Sequence, residues 1–512
     1  MTHTRQTRAP GRVFGTIERV GRLVPHPFYL FWYLLLATGV LSAVLAANDV
    51  TVQLPGAEKP TVVRNILSIE GLQHLLTTLV PNFIGFPPLG VVLTVLLGVG
   101  VAERTGLLRT AVAASLSRVP ARWMPLAVCF VAGQGHVMGD AGFIVLPPLA
   151  ALAFRAVGRH PVAGMLGAFA GLSAGYGSGL LIGALDANLS ALTTAAVPAG
   201  TDASTSVLMN YWFQAAAGLV LPVVVAAVLV RWVEPGLAPY DPDARPGVDD
   251  GEDTEDLAAV SAQQRRALRL AGIALLAYLA VVVAAWLVPG GPLQGEGGAL
   301  IDSPFFDGIV PLVTIAFLVA GIAYGRAAGT ITTADDVPRL MAESVLDMRF
   351  FIVVAFSAGQ FIAMFAWSGV GDWIAVEGAG VLRDADVGGL GALLLALLVT
   401  SLLGLVVFSG SSLWAVLSPV FVPIFVGLGL HPATIQATYR IGDSIANPVS
   451  PLNPYLYVLQ DNARRYDPDF DIGKVFARMS LFVLPVAVFW VIILIVFYAL
   501  GIPTGPGAPV RL

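Results

Sequence analysis

Apolar positions in this chain come in long unbroken blocks, not in the alternating or one-faced patterns of water-soluble strands and helices. Runs of membrane-spanning length, about 20 residues, occupy 28–47, 82–102, 161–197, 212–230, 268–288, 306–325, 350–370, 433–458 and 478–500. Two further regions, 121–157 and 389–430, are pairs of apolar segments joined by short polar tips, GQGHVMGDAG and FSGSS. The pattern predicts an all-α polytopic membrane protein with about nine transmembrane helices. The two tipped regions read as re-entrant hairpins, because small tip residues let backbone line a protein cavity at membrane depth.

One tipped region recurs in the other. A shift of 271 positions lays Gly139 on Gly410, Phe143 on Trp414, Pro148 on Pro419, His160-Pro161 on His431-Pro432, Gly171 on Gly442 and Ser173 on Ser444. These matches at one gapless offset indicate internal duplication, and duplicated halves with interrupted helices are the signature of a secondary transporter.

Charge placement then orients the chain. Arg5, Arg8, Arg12, Arg19 and Arg22 precede the first run, which no small-residue cleavage site follows, so it reads as a membrane helix with a cytoplasmic N-terminus. On that basis 23 of the 28 Lys and Arg fall in cytoplasmic segments, leaving Lys59, Arg64, Arg383 and Arg511 outside and Arg440 within the membrane. The first hairpin then enters from the cytoplasm and the second from outside, which makes the repeats inverted. The expected organisation is a cytoplasmic segment 1–27, a first membrane half 28–233, an acidic cytoplasmic linker 234–266, a second half 267–502 and a tail 503–512. The linker is rich in Pro, Gly and acids and reads as a solvated tether.

Composition agrees: 56% of residues are hydrophobic and 12% charged, as in polytopic membrane proteins. The single cysteine, Cys129, cannot form an internal disulfide, and no cofactor or metal motif is present. The informative residues are the charges inside apolar segments, since membrane burial of an ionisable group calls for a functional reason. They are Asp140 at the first tip, Asp186 in the interrupted third run, and Arg440 and Asp443 in the interrupted eighth.

Arg440 and Asp443, three apart on a helix, could neutralise each other; alternatively the guanidinium grips a substrate carboxylate. Asp186 has no basic residue within a helical turn, so it is the preferred carrier of a coupling proton, with capping of broken backbone near Gly179 and Gly183 as the structural alternative. Asp140 reads equally as a helix N-cap. Trp414 could stack on an aromatic substrate or anchor the membrane interface. His160 and His431, each before proline, read as helix starts. A sodium site around Ser173, Ser444 and Asn447 is the alternative to proton coupling. An intramembrane aspartyl enzyme would need two acids sharing a proton, and a passive channel would not need inverted repeats; both stand as rival classes.

The segments PNFIGFPPLGVVLTVLLGVGVAERTGLL, GDAGFIVLPPLAAL, LLIGALD, SAGQFIAMFAWSGVG, WAVLSPVFVP and YRIGDSIANPVSPLNPY are spread over most of the chain. They resemble the p-aminobenzoyl-glutamate transporter (AbgT) family. The resemblance implies nine spanning helices with two re-entrant hairpins, a homodimer, and transport of p-aminobenzoyl-glutamate or related folate-type metabolites, with sulfonamide efflux. It further implies transport roles for Asp186, Ser411, Trp414, Pro432, Arg440, Asp443 and Pro451. Gly179 and Gly404 stand where the family typically has Asn, and Leu413 where it has a basic residue.

Overall fold

The computed structural model describes residues 27–52, 60–117, 119–139, 141–198, 200–237, 260–298, 303–347, 349–407 and 409–512. The arginine-rich N-terminal tail, Asp140 and most of the acidic linker lie outside the described residues.

The first half contains α1 (Pro27–Ala47), α2 (Ile69–Ile84), α3 (Pro87–Arg104), α4 (Leu107–Leu116), α5 (Met124–Gly133), α6 (Ala141–Ala156), α7 (Pro161–Ala174), α8 (Ala184–Ala196) and α9 (Tyr211–Val228). The second contains α10 (Ala262–Leu287), a short α11 (Pro304–Asp307), α12 (Ile309–Ala328), α13 (Asp336–Asp347), α14 (Arg349–Ser368), α15 (Val370–Asp384), α16 (Gly389–Gly404), α17 (Gly410–Gly427), α18 (Pro432–Ala446), α19 (Tyr455–Arg464) and α20 (Ile472–Leu500). A two-stranded antiparallel ribbon, Thr51–Val52 with Thr61–Val62, follows α1.

Among the described residues eight helices are long and apolar enough to cross a membrane. A ninth results if α15 and α16, bent by 114° at their junction, form one broken span. The protein is thus a mostly helical membrane protein, but not every span is divided as the apolar runs suggest. The run 82–102 takes in the last residues of α2 and most of α3, and the two helices are parted where Phe86 is extended before Pro87. Runs 161–197 and 433–458 are interrupted as expected, each being two short helices around a break, α7/α8 and α18/α19. Residues 262–266, assigned from the sequence to the linker, are the first turns of α10. There Ser261 and Gln264 form a reciprocal cap, with the Gln264 N–H donating to Ser261 Oγ at 3.1 Å and the Ser261 N–H to Gln264 Oε1 at 2.8 Å.

The two His-Pro helix starts have the same local structure. His160 and His431 are both N-caps, their Nδ1 atoms accepting from the N–H of Val162 (3.1 Å) and Ala433 (3.2 Å), and each is followed by proline at the first helical position. The packing is reciprocal too: α17 of the second half lies on α8 of the first, and α6 of the first lies on α19 of the second. Every residue of α7 and every residue of α18 is buried. The two helices that precede the breaks therefore form the centre of the molecule. The chain's last residues strap this centre on one side: the His431 N–H donates to Val510 O at 3.2 Å and Thr504 Oγ1 to Met209 O at 2.8 Å.

Candidate functional site

Helix α18 is the anomaly that locates the site. Its sequence, PATIQATYRIGDSIA, carries Thr434, Gln436, Thr438, Tyr439, Arg440, Asp443 and Ser444, yet all of it is buried. Buried polar groups persist only where they find partners, and those of Gln436, Arg440 and Ser444 include residues of the other half of the chain.

Arg440 Nη1 lies 2.9 Å from Asp186 Oδ1, with the two side chains 2% and 1% exposed. Asp186 sits in the first turn of α8, where its Oδ2 accepts the N–H of Gly183 at 2.8 Å, and Gln214 Nε2 of α9 donates to Oδ1 at 2.9 Å. On the other edge of the guanidinium, Arg440 Nε donates to Gln436 Oε1 at 3.3 Å, and Asn210 Nδ2 donates to the same oxygen at 2.5 Å. Thr193 Oγ1 accepts from Gln436 Nε2 at 2.6 Å and from the indole Nε1 of Trp414 at 2.9 Å. Trp414 in turn packs on Tyr439, ring centroids 4.5 Å apart, and the Tyr439 hydroxyl donates to Gly410 O at the tip of the second hairpin. One continuous polar network thus runs from α8 and α9 through α18 to the start of α17.

The expectation that Asp186 lacks a cation is therefore corrected. Its partner lies 254 positions away in sequence and is supplied by the fold. Arg440, for its part, makes its ion-pair contact with Asp186. The capping alternative for Asp186 is also realised, since one oxygen caps α8 while the other holds Arg440. Trp414 is fully buried, so it anchors no membrane interface.

The remaining residues surround this pair. Asp443 is buried with Oδ2 accepting from Asn447 Nδ2 at 3.4 Å, and it faces the tip so closely that a Cβ on Gly410 would come within 2.9 Å of Oδ2. Ser411 follows at that tip, half-buried, with its Oγ 3.5 Å from Ser409 Oγ. Pro432 is the first residue of α18, and Pro451 follows the 3₁₀ turn Asn447–Val449, its carbonyl accepting from the Tyr457 hydroxyl at 3.4 Å. Of the three residues considered for sodium, Ser444 Oγ accepts the Gly177 N–H at 3.2 Å, Asn447 is engaged with Asp443, and buried Ser173 Oγ has no hydrogen-bond partner.

Gly177 shows how tightly the halves approach: a Cβ there would lie 2.9 Å from Arg440 Cβ. Gly179 has φ +146°, and a Cβ on it would come within 2.1 Å of the His136 ring. Sequence reading passed over His136, Gln214, Gln436, Thr193 and Asn210. The available signal was an amide or hydroxyl inside an apolar run, and for Gln436 its place one turn before Arg440 on the same helix face.

Residues 12–512 match the family model described as "AbgT putative transporter family". The chain is 38% identical over 504 residues to the p-aminobenzoyl-glutamate transport protein of Escherichia coli K12, covering 98% of this chain and 97% of that protein. Two solved structures are similar. The YdaH transporter of Alcanivorax borkumensis has TM-score 0.87 and 36% identity over 94% of this chain and all of that one. MtrF of Neisseria gonorrhoeae, described with a class of antimetabolite efflux pumps, has TM-score 0.90 and 32% identity over 97% of this chain and all of that one.

Proposed function

The chain belongs to the AbgT family of membrane transporters, and from that premise we propose that it is an ion-coupled secondary transporter of p-aminobenzoyl-glutamate or related folate-type carboxylates and antimetabolites. Its relatives are transporters and not enzymes, so the aspartyl-enzyme reading falls away. The observation that carries the proposal is the buried Arg440–Asp186 pair, which joins the two halves at the break of α8.

A carboxylate solute reaching Arg440 competes with Asp186 for the same guanidinium edge. When the solute takes Arg440, Asp186 is left as an uncompensated buried charge, a state costing about 3–5 kcal/mol, and it takes up a proton in place of its lost partner. Solute occupancy and protonation are thereby tied together, which is what coupling requires. Asp443, Asn447 and Ser411 line the approach from the second tip, with Trp414, Pro432 and Pro451 fixing the elements around it.

The organisation that goes with this function is two inverted repeats with re-entrant hairpins 121–157 and 389–430, in a homodimer of the cytoplasmic membrane with its N-terminus inside. Helix α5 and the 3₁₀ turn that continues it, Met124–Met138, together span about 22 Å at 1.5 Å per residue, short of a bilayer core of about 30 Å. That length supports re-entrance.

The test is uptake of labelled p-aminobenzoyl-glutamate and a sulfonamide into proteoliposomes under separately imposed proton and sodium gradients. Accumulation that follows the proton gradient is expected. Flux indifferent to both gradients would overturn the coupled-carrier reading.

A further inference from the structure

The proton step just described does not involve His136, a buried titratable group of the first half. His136 lies in the 3₁₀ turn Gln134–Met138 at the first hairpin tip and is 3% exposed. Its Nδ1 is 3.2 Å from Gly133 O and its Nε2 is 2.9 Å from Leu181 O. Both neighbours are carbonyls, which only accept. A neutral imidazole has one N–H and can satisfy one of them; the imidazolium donates to both.

Leu181 belongs to the break between α7 and α8, two residues before the Gly183 that Asp186 caps. The tip holds this segment at a second point, where Gln134 Oε1 accepts the Leu180 N–H at 2.8 Å. The opposite side of the segment is tied to α9 by the Tyr211 hydroxyl donating to Leu180 O at 3.2 Å and by the Gly179 N–H donating to Gln214 O at 3.1 Å. Gln214 is the residue that also holds Asp186. The ring reaches Leu181 only because residue 179 is glycine in a left-handed conformation with its face against the imidazole.

We propose that His136 is a second proton-binding residue, a latch that locks the first hairpin tip onto the broken segment carrying Asp186 when it is protonated and loosens it when it is neutral. The proton exchanges on the Leu181 side of the ring, where residue 181 is 48% exposed. On protonation the hydrogen bond to Leu181 becomes charge-assisted and a second donor meets Gly133 O.

The elements packed against the tip carry few other ionisable groups. They are Asp186 on α8, Cys129 on α5, Arg155 near the end of α6, and Glu103 and Arg104 at the end of α3, with Tyr176 in the segment itself and Tyr211 beyond it. Asp186 is already matched by Arg440, and Asp140 lies outside the described residues. The latch rests on the transporter reading for its purpose but not for its detection.

The experiment places a cysteine at Leu181, which keeps the carbonyl, in a Cys129→Ala background. It then measures the rate of modification by a membrane-impermeant methanethiosulfonate between pH 5.5 and 8, normalised at each pH to free N-acetylcysteine. With His136 present, modification should slow by roughly tenfold toward acid pH, the factor expected for one charge-assisted hydrogen bond. His136→Gln keeps a donor for Leu181 O but cannot be protonated, so its normalised rate should be flat with pH, while His136→Ala should be fast throughout. The same pH dependence in His136→Gln as in the parent would overturn the latch. In exchange assays at equal pH on both sides, His136→Gln should likewise flatten the pH profile. A protein that moves neither candidate solute but keeps the pH-dependent modification would sink the substrate reading and leave the latch standing.

Discussion

At the scale of single residues, the account turns on what Arg440 can do with two edges. Its Nη1 faces Asp186 and its Nε faces Gln436, so a planar group is held where it can exchange one partner without losing the other. Lysine at that position keeps the charge but offers a point donor on a flexible stem. Arg440→Lys should insert and fold, yet bind a carboxylate solute some ten- to hundredfold more weakly, the range for one charge-assisted hydrogen bond. Equilibrium binding to the purified protein checks this, and full retention of affinity would remove Arg440 from the solute site. The residues that matter were partly legible in the sequence: Asp186, Arg440 and Asp443 stood out because charges in apolar runs are costly. The pairing was not legible, because nothing local to Asp186 hints at an arginine 254 positions later.

At the scale of elements, the two broken helices meet through small residues. Gly177, in the break after α7, lies against α18, where an added Cβ would come within 2.9 Å of Arg440 Cβ, 3.0 Å of Ser444 Oγ and 3.1 Å of Arg440 O. Gly177→Ala should therefore displace the guanidinium by a few tenths of an ångström at a cost of about 1–3 kcal/mol. The protein should still fold by thermal unfolding in detergent but lose most solute exchange. Wild-type exchange in this variant would mean the close approach has no bearing on transport. The repeat offset made this meeting of elements legible in outline, since it aligned the two His-Pro helix starts that are both N-caps in the structure. Element boundaries were harder. The interruption of 161–197 was legible from its glycines and Asp186, but the run 82–102 gave no hydropathy signal of the break between α2 and α3.

At the scale of the whole molecule, the halves interlock instead of sitting side by side. Helix α17 packs on α8 and α6 on α19, so neither half completes the site alone. The acidic linker carries no apolar period that would bind the halves together. A protease site inserted in 238–259 of the intact protein should accordingly allow cleavage into two fragments that stay together in mild detergent and retain exchange. Separation of the fragments on a sizing column would show that the covalent tether, not the interlocked packing, holds the site.

The central claim is that solute and proton meet at the Asp186–Arg440 pair, and Asp186→Asn tests it most directly. The amide imitates a protonated acid, still accepts the Gly183 N–H, and frees Arg440 for the solute. In proteoliposomes the variant should exchange labelled solute for unlabelled solute and yet accumulate none when a pH gradient is imposed. Unchanged pH-driven accumulation in Asp186→Asn would contradict the account.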